Sequence, residues 1–177
     1  DATKTLLASG LVKKNEVAIM GSSFGGYLAL SGVVNDPDLY CCAITIAGVS
    51  DWELDLRTQK YDEFDSPGYR FFFRHLGDPK KNPEMYDRIS PGRHADRIKV
   101  PVYVAAGRED SRVDFNQAKK LISALEKNKV PHQSLFLHWE GHGMANLDDR
   151  VKMYDQIAAF LDKCTKQAET TATPAQQ

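Results

Sequence analysis

Short apolar segments alternate with amphipathic segments along most of the 177-residue chain. The apolar segments have the length and composition of buried strands, and the segments after them have helical spacing. This order is typical of a parallel sheet covered by helices, so the pattern predicts an α/β fold. The predicted strands are residues 17–20, 41–47, 102–106 and 133–138.

The amphipathic segments predict the covering helices at residues 3–9, 24–34, 114–128 and 147–163. In the last of these, Val151, Tyr154, Ala158 and Leu161 recur at helical spacing and predict its apolar face. Residues 1–163 are therefore interpreted as one domain. Residues 164–177 are rich in Thr, Ala and Gln and are predicted to be a disordered tail. On helix 114–128 the apolar face comprises Phe115, Ala118, Leu121, Ile122 and Leu125.

The connection between the second and third predicted strands is much longer than a crossover helix requires. It spans residues 49–99, and Asn82-Pro83-Glu84 within it predicts the start of a helix. Long connections at this level of an α/β fold often shape a pocket. Its aromatic residues are Trp52, Tyr61, Phe64, Tyr69, Phe71, Phe72, Phe73 and Tyr86.

Charge and cysteine content exclude several classes of function. The net charge is −1, with 23 basic and 24 acidic residues, so nucleic acid and anionic membranes are not expected partners. No apolar run approaches the roughly 20 residues of a transmembrane helix. Cys41, Cys42 and Cys164 are interpreted as idle thiols that favour a reducing, cytoplasmic compartment without fixing it. Because no His and acid cluster has ligand spacing, neither a metal nor another cofactor is predicted.

The sequence Gly21-Ser22-Ser23-Phe24-Gly25-Gly26 lies between a predicted strand and a predicted helix. This is the G-x-S-x-G pattern of a nucleophile elbow in the context it requires. Ser23, at the centre of the pattern, is the candidate nucleophile; Ser22 is not. The backbone N–H of Phe24 is the candidate oxyanion donor, because it follows the nucleophile at the start of a helix.

A serine nucleophile needs a base, and His142 is the best placed of five histidines. It lies in Glu140-Gly141-His142-Gly143, after the fourth predicted strand, where flanking glycines suit a loop that reaches a site. His138 lies in that strand and His132 at the strand's opposite end. His75 and His94 fall in the long connection and are interpreted as structural or surface residues.

A carboxylate should orient the histidine, and Asp110 lies shortly after the third predicted strand. Glu109 and Asp114 are its competitors, although Asp114 is better explained as an acid at a helix start. The three candidates Ser23, Asp110 and His142 each follow the carboxyl end of a different strand, where α/β sheets place their ligands. Their order along the chain, Ser, Asp and His, is that of the α/β-hydrolases.

Four segments together resemble the prolyl oligopeptidase family, in particular its acylaminoacyl-peptidase and dipeptidyl-aminopeptidase branch. The segments are Gly21–Tyr27 with its Gly-x-Ser-x-Gly-Gly-Tyr pattern, Ala47–Trp52, Gly107–Val113 and Glu140–Gly143. The resemblance covers residues 1–163. It implies an α/β-hydrolase fold and cleavage of short peptides through an acyl-enzyme on Ser23, Asp110 and His142, with phenylalanine at position 24 where the family more often has tyrosine.

The resemblance also implies that the chain is the C-terminal part of a longer enzyme, with the last four of the usual eight strands. The elbow strand, Val17 to Met20, would then have an unpaired edge, which favours self-association. A second oxyanion donor would also be missing, so weak activity is expected of the chain alone.

Two alternatives to a peptidase stay open. The same triad would serve a carboxylesterase acting on a small acyl substrate, and nothing in these residues separates an ester from an amide. A catalytically incompetent piece that acts only in assembly is the other alternative. In either enzyme, Trp52 is the first candidate for a substrate-binding wall, because it follows the second strand closely.

Overall fold

In a computed structural model, the described residues 2–13, 16–62 and 67–170 form a layered α/β structure. Strands and helices alternate along the chain as the hydrophobic pattern predicts. The strands are β1 (Ala18–Ser22), β2 (Cys42–Ile46), β3 (Val102–Gly107) and β4 (His132–Leu137). The helices are α1 (Ala2–Ala8), α2 (Phe24–Asn35), α3 (Trp52–Asp62), α4 (Pro67–Leu76), α5 (Pro83–Ile89), a 3₁₀ helix (Pro91–Arg97), α6 (Asn116–Lys127) and α7 (Leu147–Thr170).

The four strands form one parallel sheet in the order β1-β2-β3-β4. The predicted α/β fold with a parallel sheet flanked by helices is confirmed. Because all strands point the same way, the carboxyl ends of β1, β3 and β4 lie at one edge of the sheet. Within the described residues β1 pairs with β2 alone, so it is an edge strand.

The core has two halves, because successive residues of a strand face opposite sides of the sheet. On one side, Val102 and Val104 of β3 pack with α2, α6 and the 3₁₀ helix. On the other side, Tyr103 and Ala105 of β3 pack against α7. Most residues of β2 and β3 are buried, as expected for a sheet covered on both faces.

Helix α7 differs from its prediction in the face that it buries. Val151 and Tyr154 were expected to face the core, yet they are 51% and 54% exposed. The buried stripe lies on a neighbouring face, which contacts β2 and β3, and also has helical spacing. It consists of Met153, Ile157, Phe160 and Cys164.

The helix α7 also continues to Thr170, beyond the predicted end at residue 163. The prediction of a disordered tail over residues 164–177 is therefore corrected for 164–170, which are helical, and Cys164 in this part is buried against the sheet. Residues 171–177 lie outside the described residues.

The long connection between β2 and β3 folds into α3, α4, α5 and the 3₁₀ helix. Asn82 immediately precedes α5 and Pro83 is its first residue, as predicted. Near the carboxyl ends of the strands, side chains from α3 and α5 pack together with Val113, which belongs to the loop after β3. This cluster is separate from the two halves of the core, and its buried members are Val49, Trp52, Leu56, Tyr86 and Val113. Of the aromatic residues in this connection, Phe64 lies outside the described residues, and so does the side chain of Tyr61.

Candidate active site

Ser23 lies on the sharp turn between β1 and α2. Its backbone has φ 56° and ψ −121°, a strained conformation for a residue with a Cβ. The Ser23 N–H donates to the carbonyl of Ile46 at 2.8 Å, which fixes the turn to the end of β2. Gly21 is required for this geometry, because a Cβ there would overlap the backbone of Gly25. The strand-to-helix turn thus presents the Ser23 hydroxyl at the carboxyl edge of the sheet.

The structure brings the three predicted residues together from three different strand ends. The Oγ of Ser23 lies 3.0 Å from Nε2 of His142, and Nδ1 of the same ring lies 2.9 Å from Oδ2 of Asp110. With the ring proton on Nδ1, His142 donates to Asp110 and accepts from the Ser23 hydroxyl. In serine hydrolases, the same arrangement of side chains is the one that activates a serine hydroxyl as a nucleophile.

Asp110 is buried and held in place by its other oxygen. Its Oδ1 accepts the backbone N–H of Arg112 at 2.9 Å and of Val113 at 3.0 Å. Burial by itself raises the pKa of Asp110, but the hydrogen bonds from His142 and from the two amides outweigh burial and lower it. The carboxyl is therefore ionised at neutral pH, the state in which it stabilises an imidazolium.

The two acidic competitors for Asp110 differ from it in their surroundings. The side chain of Glu109 is exposed to solvent, whereas that of Asp110 is buried. Asp114 accepts the backbone N–H of Asn116 at 2.7 Å, so it serves the start of α6 as the sequence predicts.

The contacts described for the other four histidines are with groups other than Ser23. His75 and His94 bond to main-chain carbonyls, at 2.7 Å from Phe71 and 2.9 Å from Asp87. His132 begins β4 and bonds to the carbonyl of Val130. His138, predicted to lie in the last strand, instead follows its end at Leu137 and is exposed, with its ring against Trp139.

An aromatic cluster flanks the candidate nucleophile. Phe24, the residue after Ser23, is 50% exposed, and its ring lies 6.2 Å from that of Trp52 and 5.3 Å from that of Tyr27. Trp52 is only 3% exposed, because Tyr27 and Phe72 also cover it. The ring of Phe24 is therefore open to solvent beside Ser23, whereas the ring of Trp52 is covered.

A buried polar network behind the site was missed by sequence reasoning. The side-chain oxygen of Gln117 accepts the backbone N–H groups of Ser50 and Asp51 at 3.0 and 2.9 Å. The Asp51 carboxylate in turn binds Arg93 at 2.9 Å and Lys120. Burial raises the pKa of Asp51, but its hydrogen bonds to Arg93 and Lys120 lower it to about 2. These contacts tie the loop after β2, and hence Trp52, to α6 and to the 3₁₀ helix.

The three cysteines, predicted to be idle, lie together although Cys164 is far along the chain. Cys42 and Cys164 belong to one buried cluster, and Cys41 packs against that cluster. All three are free, and Cys42 and Cys164 are buried between β2 and α7.

Within the described residues, no group of three or more His, Cys, Asp or Glu side chains is arranged to hold a metal ion. The helices of the same part of the chain include none that is long and apolar enough to cross a membrane.

The sheet, its flanking helices and the turn that carries Ser23 define the chain as an α/β-hydrolase in fold. A profile of the prolyl oligopeptidase family matches residues 1–168, and the chain belongs to that family. The resemblance seen in the sequence is therefore confirmed.

The chain is similar to several peptidases over nearly its whole length. Dipeptidyl aminopeptidase BIII of Pseudoxanthomonas mexicana is 29% identical, covering 93% of this chain and 24% of that protein. The structure of a Mycobacterium tuberculosis puromycin-hydrolyzing peptidase has 26% identity and a TM-score of 0.84, with 93% of this chain and 24% of that chain covered.

An uncomplexed Pyrococcus horikoshii acylaminoacyl peptidase shares the fold at 23% identity, with a TM-score of 0.79 over 92% of this chain and 26% of that chain. The chain thus spans about a quarter of the length of the relatives that it matches.

Proposed function

We propose that the chain carries the catalytic residues of a serine peptidase that cleaves short peptides through an acyl-serine intermediate. The hydrogen-bonded series from Asp110 through His142 to Ser23 is the observation that carries this proposal. A relative is named as a dipeptidyl aminopeptidase and a structural neighbour as a puromycin-hydrolyzing peptidase, which supports peptide amides as the substrate class.

In the proposed reaction, Ser23 attacks the scissile carbonyl carbon while His142 takes the hydroxyl proton on Nε2. The resulting imidazolium is stabilised by the ionised Asp110. Phe24 begins α2, so its backbone N–H has no acceptor within the helix, and this N–H is the proposed donor to the developing oxyanion. His142 then gives the proton to the leaving amine, and water releases the acyl group by the same steps.

The substrate side chain next to the scissile bond is proposed to lie against Phe24. Its half-exposed ring adjoins the nucleophile and is backed by Trp52, which is covered by Tyr27 and Phe72. In this proposal Trp52 contributes to substrate binding by supporting Phe24 from beneath.

Three chromogenic substrates test the reaction class: a dipeptidyl p-nitroanilide, an N-acyl-aminoacyl p-nitroanilide and p-nitrophenyl butyrate. We expect the wild type to hydrolyse an anilide, and Ser23→Ala to lower the rate at least about 10⁴-fold, as for other triads. Ser22→Ala is the matched control and should keep the wild-type rate. Hydrolysis of the ester alone would support a carboxylesterase. Anilide hydrolysis that survives Ser23→Ala, or a wild type inactive on all three, would contradict the proposal for this chain.

Self-association through β1 is proposed as well. The Val17 carbonyl and the Ser23 N–H form hydrogen bonds with residues at the two ends of β2. Because the peptide groups of a strand alternate in direction, those of Ala18, Met20 and Ser22 point away from β2, to the open edge of the sheet. Such an edge pairs readily with another strand, and Met20 on it is 46% exposed.

A second copy of the chain would extend the sheet at this edge. Sedimentation at rising concentration should show a dimer for the wild type and a monomer for Met20→Lys, because an edge lysine opposes pairing. A wild type that stays monomeric at high concentration would contradict self-association.

A further inference from the structure

The loops that carry Asp110 and His142 lie side by side and meet at the main chain of Glu140. The Glu109 N–H donates to the Glu140 carbonyl at 3.0 Å. Gly107, the last residue of β3, passes so close to that carbonyl that a Cβ at position 107 would overlap it. The backbone of Glu140 is therefore fixed against the loop that ends in Asp110.

The side chain of Glu140 fastens the other end of the histidine loop. Its Oε1 accepts the backbone N–H of Asn146 at 2.9 Å, and the residue is only 4% exposed. The Asn146 side chain accepts the N–H groups of Asp148 and Asp149 in the first turn of α7, at 2.9 and 3.2 Å. Glu140 thus joins the end of β4 to the start of α7 and closes the loop of residues 140–146, which contains His142.

We propose that Glu140 is a positioning residue for the serine chemistry, acting through the placement of His142. The main-chain carbonyl of Glu140 holds the loop that carries Asp110, and its side chain closes the loop that carries His142. One residue therefore sets the separation between Asp110 and His142. This inference rests on the proposed function, because it assigns Glu140 a role in that same site.

The role predicts a difference between two substitutions. Glu140→Ala removes the acceptor for Asn146 and frees the loop, and a misplacement of about 1 Å in a catalytic group lowers rates roughly a hundredfold. Glu140→Gln keeps an oxygen of the same reach, so the loop stays closed. Asp148→Ala is the matched control, because its exposed side chain lies on the same stretch of the chain but outside the bonds described.

Two measurements on the whole chain test the proposal. The first is the rate constant for labelling by a fluorophosphonate probe. We expect Glu140→Ala to react roughly 10- to 100-fold more slowly than wild type. Glu140→Gln and Asp148→Ala should react at nearly the wild-type rate. The second is the low-field proton NMR signal of the His142 Nδ1–H bonded to Asp110, which should be lost or broadened in Glu140→Ala alone.

The NMR signal separates this proposal from the proposed function, because it requires no reaction. If wild type is not labelled but its signal is lost in Glu140→Ala and kept in Glu140→Gln, the function fails and the positioning role stands. A folded Glu140→Ala with normal signal and labelling would overturn the positioning role. Equal loss in the Gln variant would overturn it as well, since the acceptor oxygen is kept. If Glu140→Ala does not fold, Glu140→Gln decides the question. The positioning role then requires Glu140→Gln to keep both the wild-type labelling rate and the His142 Nδ1–H signal.

Discussion

Asp55, on the buried side of α3, should make the protein less stable as the pH rises from acid to neutral. The residue is 1% exposed. Burial, followed by the negative charges of Asp110 and Asp114, raises the pKa of Asp55 to about 7, from an ordinary 3.8.

The direction of the effect follows from the two pKa values. In the unfolded chain Asp55 loses its proton near pH 4, whereas the folded protein keeps that proton up to about pH 7. Stability from this group is therefore fully present below about pH 4 and lost as the pH rises to about 7. A difference of about three in pKa corresponds to about 4 kcal/mol in the free energy of unfolding.

The perturbation that isolates this contribution is Asp55→Asn, which has nearly the same size but does not titrate. Urea unfolding of both proteins between about pH 4 and pH 8 gives the difference in their free energies of unfolding. We expect the variant to gain about 4 kcal/mol relative to wild type across this range, with most of the gain below about pH 7. Asp148→Asn, at an exposed site, is the control and should show no such trend. A difference that does not change with pH would refute the reasoning.

Three further outcomes follow from the structure. Gly21→Ala should lower the free energy of unfolding by about 3 kcal/mol and abolish fluorophosphonate labelling, because the added Cβ would overlap the backbone of Gly25. Gly25→Ala is the control and should do neither, because the space around a Cβ at that position is open. Cys41 should be the first thiol alkylated by iodoacetamide, since it is half-buried and the Cys42 thiol lowers its pKa to about 7; peptide mapping showing another cysteine first would contradict this. Between about pH 4 and pH 2, wild type should lose about 2 kcal/mol more than Asp51→Asn, because the pKa of Asp51 is about 2 when folded; equal acid sensitivity in urea unfolding would oppose this.

The parts of the site that sequence could predict are those that a local pattern determines. Ser23 is recognisable because a turn from strand to helix needs glycine at position 21, where the helix backbone comes too close for a Cβ. Asp110 and His142 are recognisable because each follows a strand end, and parallel strands bring their carboxyl ends to one edge.

The rest depends on contacts between distant positions. The bond from the Asp51 N–H to Gln117 links residues 66 positions apart, and Gln117 lies in none of the four segments that resemble the family. Helix α7 carries two apolar stripes of the same period, so periodicity could not decide whether Val151 or Met153 faces the sheet. Only the packing of α7 on β2 and β3 makes that choice.

The most direct test of the account is to find which atom reacts with a fluorophosphonate probe. Mass spectrometry of the labelled, digested chain should place the adduct on Ser23 in wild type and in Ser22→Ala, and should find no adduct in Ser23→Ala. Asp110→Asn should label far more slowly than wild type, because the ring of His142 would lose its ionised partner. An adduct on another residue, or labelling that survives Ser23→Ala, would contradict the central claim that Ser23 is the activated nucleophile.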